Sequence, residues 1–106
     1  MIEQPNLNYV DSLAGDDIEF RNQFINIIKV EFPLEKDEYH GHVSKMRVKE
    51  TADIVHKIKH KFNILGMEKS YELAVDYEKE LLAGENGSET SFKKVLETIE
   101  AYIKMI

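Results

Sequence analysis

The chain has 106 residues, of which 42% are hydrophobic and 32% are charged, and its net charge is −6. This length and composition predict one soluble globular domain covering residues 1–106. The absence of cysteine excludes disulfides, thiolate metal sites and cysteine nucleophiles. The sequence contains no run of about 18 apolar residues, so no membrane-spanning helix is predicted. The negative net charge argues against nucleic-acid binding. The first ten residues lack the pattern of a signal peptide, so a cytoplasmic location is expected.

The first predicted helices are bounded by polar caps and a proline. Asn6 is expected to cap a short helix that ends near Leu13. The next helix is expected to begin at Asp16, because Glu19 follows at the spacing of a capping box. Pro33 lacks a backbone N–H, so we expect it to stop this helix and to begin another.

Four further helices are predicted over 34–45, 48–65, 67–83 and from Ser88 onward. Gly66 directly follows the predicted helix over 48–65, at the position where glycine commonly ends a helix. No segment alternates with a period of two for long enough to form a strand. The predicted fold is therefore all-α, and short connections between helices of this length favour an antiparallel bundle with the N-terminal stretch packed across one end of it.

The basic residues are unevenly distributed along the chain. Residues 45–69 contain seven of the 14 Lys and Arg residues but only three acids, whereas the rest of the chain carries a net charge of −10. An acidic protein with one basic segment is expected to offer a local site to an anionic group or an acidic partner.

His56 is the most informative residue of the helix over 48–65. On a helical wheel it lies opposite the apolar side, so we predict that it faces solvent. Ala52 lies one turn before it and Lys59 one turn after. A neutral imidazole is a good nucleophile toward phosphorus, and a nearby lysine can hold a phosphate oxygen. The apolar side, predicted to face the core, consists of Val48, Thr51, Val55, Ile58, Phe62 and Leu65.

Two other interpretations of His56 stay open on the sequence alone. An exposed histidine on a lysine-rich helix is often only a solvated residue. Alternatively, His56 and His60 form an i, i+4 metal pair, with a third ligand from Asp53 or from the His40–His42 segment. The chain lacks an HExxH motif, and the neighbouring lysines would repel a cation, so no metal site is predicted.

The other candidate motifs and residues in this sequence do not indicate a further activity. No Gly-rich phosphate loop occurs, so ATP binding by the Walker or Rossmann route is not expected. Asp76, Glu78 and Glu80 are expected to form a solvated face of the helix over 67–83. Tyr71 and Tyr77 are expected to lie in the core or at its boundary.

The segment from Val55 to Lys59, with Gly66 ten residues after His56, resembles the signature of histidine-containing phosphotransfer (HPt) domains of two-component phosphorelays. The similarity covers nearly the whole chain. Outside the signature, the residues that match the family are Asn8, Tyr9, Leu13, Gly15, Asp16, Glu19, Phe20, Phe32, Pro33, Leu73, Tyr77 and Glu78.

The resemblance implies an antiparallel four-helix bundle with an accessory N-terminal helix. It also implies that His56 accepts a phosphoryl group from the aspartyl phosphate of a receiver domain and passes it to another receiver. Lys59 would stabilise the phosphate. The chain would be a phosphoryl carrier and not an enzyme. It would need no cofactor, since Mg²⁺ belongs to the receiver. The implied partners are response-regulator receiver domains, with a hybrid histidine kinase as a further candidate. Nucleic acid and membrane are not expected as partners, and the chain is expected to be a monomer.

The residues expected to meet a partner are Ala52, His60, Asn63 and Gly66. His60 and Lys61 stand where the family usually has small residues, and both add bulk and charge beside the site. We therefore expect His60 to influence which receivers can dock. The alternative function is a non-catalytic helical interaction module that docks a receiver, or another acidic partner, through the same face.

Overall fold

The computed structural model describes residues 3–106, and these form five α-helices and no strand. The helices are α1 (Asn8–Ala14), α2 (Ile18–Ser44), α3 (Val48–Ile64), α4 (Glu68–Leu82) and α5 (Glu89–Ile103). The predicted all-α class is confirmed for this part of the chain. None of the described helices is both long enough and apolar enough to cross a membrane.

The predicted helix stop at Pro33 is wrong, because α2 continues through it as one helix of 27 residues. A proline inside a helix loses one backbone hydrogen bond and costs about 3 kcal/mol. Buried side chains on both sides of Pro33 hold α2 against its neighbours: Ile28 and Phe32 before it, and Glu35 and Tyr39 after it. Packing of both halves therefore outweighs the local preference for a break.

Three helix starts differ from their predicted caps. The N-cap of α1 is Leu7 and not Asn6, although the Asn6 side-chain oxygen accepts a hydrogen bond from the Asn8 N–H at 3.0 Å.

The other two differences are at α2 and α5. The N-cap of α2 is Asp17 and not Asp16, and its carboxylate accepts a hydrogen bond from the Phe20 N–H at 3.0 Å. Ser88 stands at the N-cap of α5 as predicted, but its hydroxyl does not cap that helix. Instead, the hydroxyl donates to the Glu80 carboxylate at 2.8 Å, which ties α5 to the end of α4.

The end of α3 is set by Gly66, which has a φ of +72°. The Gly66 N–H donates to the Asn63 carbonyl at 3.2 Å, and the Met67 N–H donates to the Phe62 carbonyl at 2.9 Å. This pair of bonds is the Schellman motif that commonly ends a helix at glycine. The Asn6 side chain lies directly over Gly66, so the segment before α1 packs against this turn.

The core lies between α2, α3, α4 and α5. The packing pairs are α2 with α3, α3 with α4, α4 with α5, and α5 with α2, while α1 packs on α2. The predicted apolar side of α3 is buried apart from Val48, which is 47% exposed because it begins the helix at one end of the molecule. The largest fully buried side chains are Tyr39, Tyr77, Phe32, Phe62 and Phe92.

Candidate functional site

His56 projects from the middle of α3 into solvent, as predicted, and its side chain is 56% exposed. The backbone beneath it is held firmly, because Val55 and Ile58 are fully buried. The site therefore combines an accessible imidazole with a rigid support.

Glu78 on α4 holds both His56 and Lys59. One carboxylate oxygen lies 2.9 Å from the His56 Nδ1 atom, and the other accepts a hydrogen bond from the Lys59 ammonium at 2.9 Å. A carboxylate accepts only, so the His56 Nδ1 atom carries the proton in this contact, and in the neutral imidazole the Nε2 atom keeps its lone pair. The free Nε2 atom is thus the nucleophilic one.

Glu78 was expected in a solvated face, and that expectation is wrong. Asp76 is exposed as predicted, but Glu78 is partly covered because it faces α3. The sequence did contain a signal for this position. Glu78 lies four residues after Ala74 and three before Leu81, both buried, so a helical wheel places it at the edge of the buried stripe. Tyr77 is fully buried, as expected.

Lys59 is mostly buried, with only 11% of its side chain exposed. Its ammonium group lies 5.9 Å from the centre of the Tyr71 ring, within the range of a cation–π contact. The sequence pattern predicts that Lys59 holds a phosphate oxygen. In the structure its ammonium group is bound to Glu78, so the cation is already positioned next to His56 by a shared carboxylate.

The predicted partner-contact residues do not all lie together. His60 is exposed one turn from His56, and the two ring centres are 5.4 Å apart. Asn63 is exposed further along the same helix. The Ala52 side chain is buried, so it contributes its small size and not a contact surface. Gly66 follows His56 by ten residues, which at a rise of about 1.5 Å per residue places it about 15 Å further along the helix axis.

Lys61 does not lie beside His56 as the sequence suggested. It points to α2, where its ammonium group is 2.7 Å from Glu31 and 3.3 Å from Glu35. The hydrogen bond and the charge of Lys61 lower the pKa of the Glu31 carboxyl below its ordinary value. Lys61 is buried and links α3 to α2 through these two carboxylates. Its ammonium group therefore does not reach the exposed face that carries His56.

The basic segment is also less basic at the surface than its sequence indicates. Lys59 and Lys61 are neutralised by carboxylates, and the Lys57 ammonium group lies 3.9 Å from Glu35. Exposed bases remain at Lys45 and Arg47 between α2 and α3, at Lys49 in the first turn of α3, at Lys57 and at Lys69. The exposed positive charge is thus spread along the whole segment and is not concentrated around His56.

No three or more His, Asp or Glu side chains within residues 3–106 are grouped so as to hold a metal ion. Comparison with protein-family models, with curated proteins and with solved structures found no match to this chain.

Proposed function

We propose that this chain is a histidine phosphotransfer protein and that His56 is its phosphoryl acceptor. One observation carries the proposal: an exposed imidazole whose Nδ1 atom is held by Glu78, which leaves the Nε2 atom free to react. A histidine that served only as a solvated surface group would not need this support on a rigid helix.

The proposed reaction moves one phosphoryl group between two side chains. The Nε2 lone pair of His56 attacks the phosphorus of a receiver's aspartyl phosphate, forming an N–P bond. The bond from phosphorus to the aspartate oxygen breaks, and its electron pair leaves with the aspartate carboxylate. The ring then carries positive charge, with the proton still on Nδ1. Glu78 accepts that N–H bond, so its negative charge stabilises the ring as the charge develops.

Lys59 supplies the positive charge for the phosphate oxygens in this proposal. Its contact with Glu78 keeps the ammonium group near the reacting ring before a phosphate arrives. When a phosphate arrives, the Lys59 ammonium group donates a charge-assisted hydrogen bond to a phosphoryl oxygen, either in place of its bond to Glu78 or in addition to it. Glu78 and Lys59 act as a pair, because the carboxylate steadies the ring and the ammonium steadies the transferred group.

The finer fold proposed with this function is an antiparallel four-helix bundle of α2 to α5, with α1 as an accessory helix. The ring of packing pairs among α2 to α5 supports it. The connections over 45–47, 65–67 and 83–88 are short, and short connections favour antiparallel neighbours. His56 would then lie midway along one side of the bundle, open to a partner's active site.

The proposed partners are response-regulator receiver domains, which bring the Mg²⁺ ion and most of the stabilisation of the transition state. The chain itself acts as a carrier and needs no nucleotide. A relay between receivers, and from a hybrid histidine kinase where one is present, takes place in the cytoplasm.

The test is transfer from a panel of phosphorylated receiver domains to the purified chain. We expect phosphate that is labile in acid and stable in base, carried on the Nε2 atom of His56. His56→Gln should remove the label and leave the fold unchanged, whereas His40→Gln, a second exposed histidine away from the site, should keep it. Receiver binding without any transfer of label would refute the phosphotransfer function in favour of an interaction module.

A further inference from the structure

His56 and His60 form an exposed histidine pair on one face of α3. Their ring centres are 5.4 Å apart, and their planes are nearly perpendicular, at 87°. Both side chains are exposed, whereas the backbone that carries them is fixed by the buried side of the helix. The two rings are therefore placed to share a ligand without any movement of the backbone.

The separation of the two rings fits one bound metal ion. Zinc–imidazole bonds of about 2.0–2.1 Å place two rings on a tetrahedral ion with their centres roughly 5 Å apart. The observed 5.4 Å is close to that separation. The exposed His60 ring is free to turn until one of its nitrogens faces an ion bound at the Nε2 atom of His56.

Glu78 prepares His56 as a metal ligand. A metal-bound histidine commonly donates its other N–H to a carboxylate, which fixes the tautomer and raises the basicity of the ligating nitrogen. The contact of 2.9 Å between His56 Nδ1 and Glu78 has this form. The Nε2 atom of His56 is then available for coordination.

The lysines near the histidine pair do not exclude a cation, because their charges are offset by nearby carboxylates. The sequence puts three lysines around the histidine pair, but all three lie near carboxylates. Lys59 contacts Glu78 at 2.9 Å, Lys61 contacts Glu31 at 2.7 Å, and Lys57 is 3.9 Å from Glu35. Asp53, exposed one turn before His56, adds a negative charge to the same stretch of helix.

We infer that the histidine pair binds a divalent transition-metal ion, with water molecules completing its coordination. Imidazole ligands favour Cu²⁺, Ni²⁺ and Zn²⁺, with Cu²⁺ bound most tightly, whereas Mg²⁺ prefers oxygen ligands. Because the ion would occupy the Nε2 atom of His56, it would also block phosphoryl transfer. That second effect rests on the proposed function, whereas metal binding does not.

Binding is tested on the untagged chain with Cu²⁺ or Ni²⁺ alone, by calorimetry and, for Cu²⁺, by electron paramagnetic resonance. We expect one ion per chain with two nitrogen ligands, and release of the ion on acidification, since the ligands must be deprotonated. His60→Gln should weaken binding by about tenfold or more, because the chelate is lost. His40→Gln/His42→Gln is the control for the other histidines and should bind normally. Equal affinity in the wild type and in His60→Gln would overturn the inference.

The effect on transfer is measured with one phosphorylated receiver, comparing each protein with and without Ni²⁺. Nickel should slow labelling of the wild type by a larger factor than it slows labelling of His60→Gln, and this ratio cancels any effect on the receiver. An equal factor in the two proteins would refute the block. If the chain binds the metal ion but is never phosphorylated, the proposed function fails while the metal site stands.

Discussion

Among the individual side chains, Glu78 has the largest consequence for His56. Its contact with the Nδ1 atom at 2.9 Å selects the tautomer in which the Nε2 atom is unprotonated. Glu78→Gln removes the charge but keeps the shape of the side chain. We expect the Nδ1–H preference to weaken and phosphoryl transfer to slow by about tenfold or more, the effect of losing a charge-assisted hydrogen bond worth about 1.5–3 kcal/mol.

Two measurements separate this role of Glu78 from a purely structural one. Nitrogen chemical shifts of the His56 ring report the tautomer directly, and transfer kinetics report the reaction. Asp76→Asn is the matched control, since Asp76 is an exposed acid on the same helix. An unchanged ring tautomer in Glu78→Gln would show that the carboxylate does not position His56.

Replacing glycine with alanine is expected to change the free energy of unfolding in opposite directions at Gly66 and Gly41. Gly66 has a φ of +72°, and an added Cβ would lie 2.6 Å from the Asn6 amide nitrogen. Gly66→Ala should therefore lower the free energy of unfolding by at least about 1 kcal/mol. Gly41 lies inside α2 with nothing within 4 Å of an added Cβ, so Gly41→Ala should raise it by about 0.5–1 kcal/mol. Urea denaturation of both variants tests the pair, and a loss of stability in Gly41→Ala would contradict it.

Between α2 and α3, the main polar tie is the buried pair of Lys61 and Glu35. Both side chains are at least nine-tenths buried, and the charge of Glu35 is balanced chiefly by Lys61 at 3.3 Å. Removing one partner of a buried ion pair leaves an uncompensated charge and costs about 3–5 kcal/mol. Because Glu31 and Lys57 also lie near this pair, we expect a loss near the lower value for Lys61→Met.

The double variant Lys61→Met/Glu35→Leu is the control for this prediction. Replacing both partners with apolar side chains removes the unpaired charge, so much of the stability should return. Thermal and urea unfolding of the single and double variants measure the difference. If the double variant is less stable than Lys61→Met, the two side chains do not act as a pair. The same measurement tests that Lys61 stabilises the packing of α2 against α3.

Across the chain as a whole, carboxylates paired with lysines link stability to acid pH. Contacts with Lys61 and Lys36 hold the pKa values of Glu31 and Glu100, respectively, below the ordinary value of 4.5. A carboxyl whose pKa is lower in the folded state stabilises the fold above its unfolded pKa, and this stabilisation is lost as pH falls. Stability should therefore decline below about pH 4.5. Because both carboxylates are more than one-third exposed, each contribution is small.

Urea midpoints measured from pH 7 to pH 3 test this dependence. Glu31→Gln/Glu100→Gln should be slightly less stable than the wild type at neutral pH and should lose less stability between pH 4.5 and pH 3. Glu97→Gln, on an exposed part of α5, is the control and should follow the wild type. Parallel curves for all three proteins would contradict the role of the two pairs.

Much of this protein could be predicted from local sequence patterns. Apolar residues at helical intervals predicted the all-α class, the extents of α3 and α4, and the exposure of His56, because each depends on a periodicity within one segment. The glycine that ends α3 was also predictable, since a left-handed residue at a helix end has a strong local preference.

The tertiary structure alone decided the features that depend on a neighbouring helix. The continuity of α2 through Pro33 comes from burial on both sides of the proline, which local propensity does not include. The partners of Lys59 and Lys61 lie on α4 and on α2, so sequence spacing could not show that Glu78 joins the site or that Lys61 leaves it. The residue types were visible in the sequence, whereas their pairing follows from which helix faces pack together, and that is a property of the whole fold.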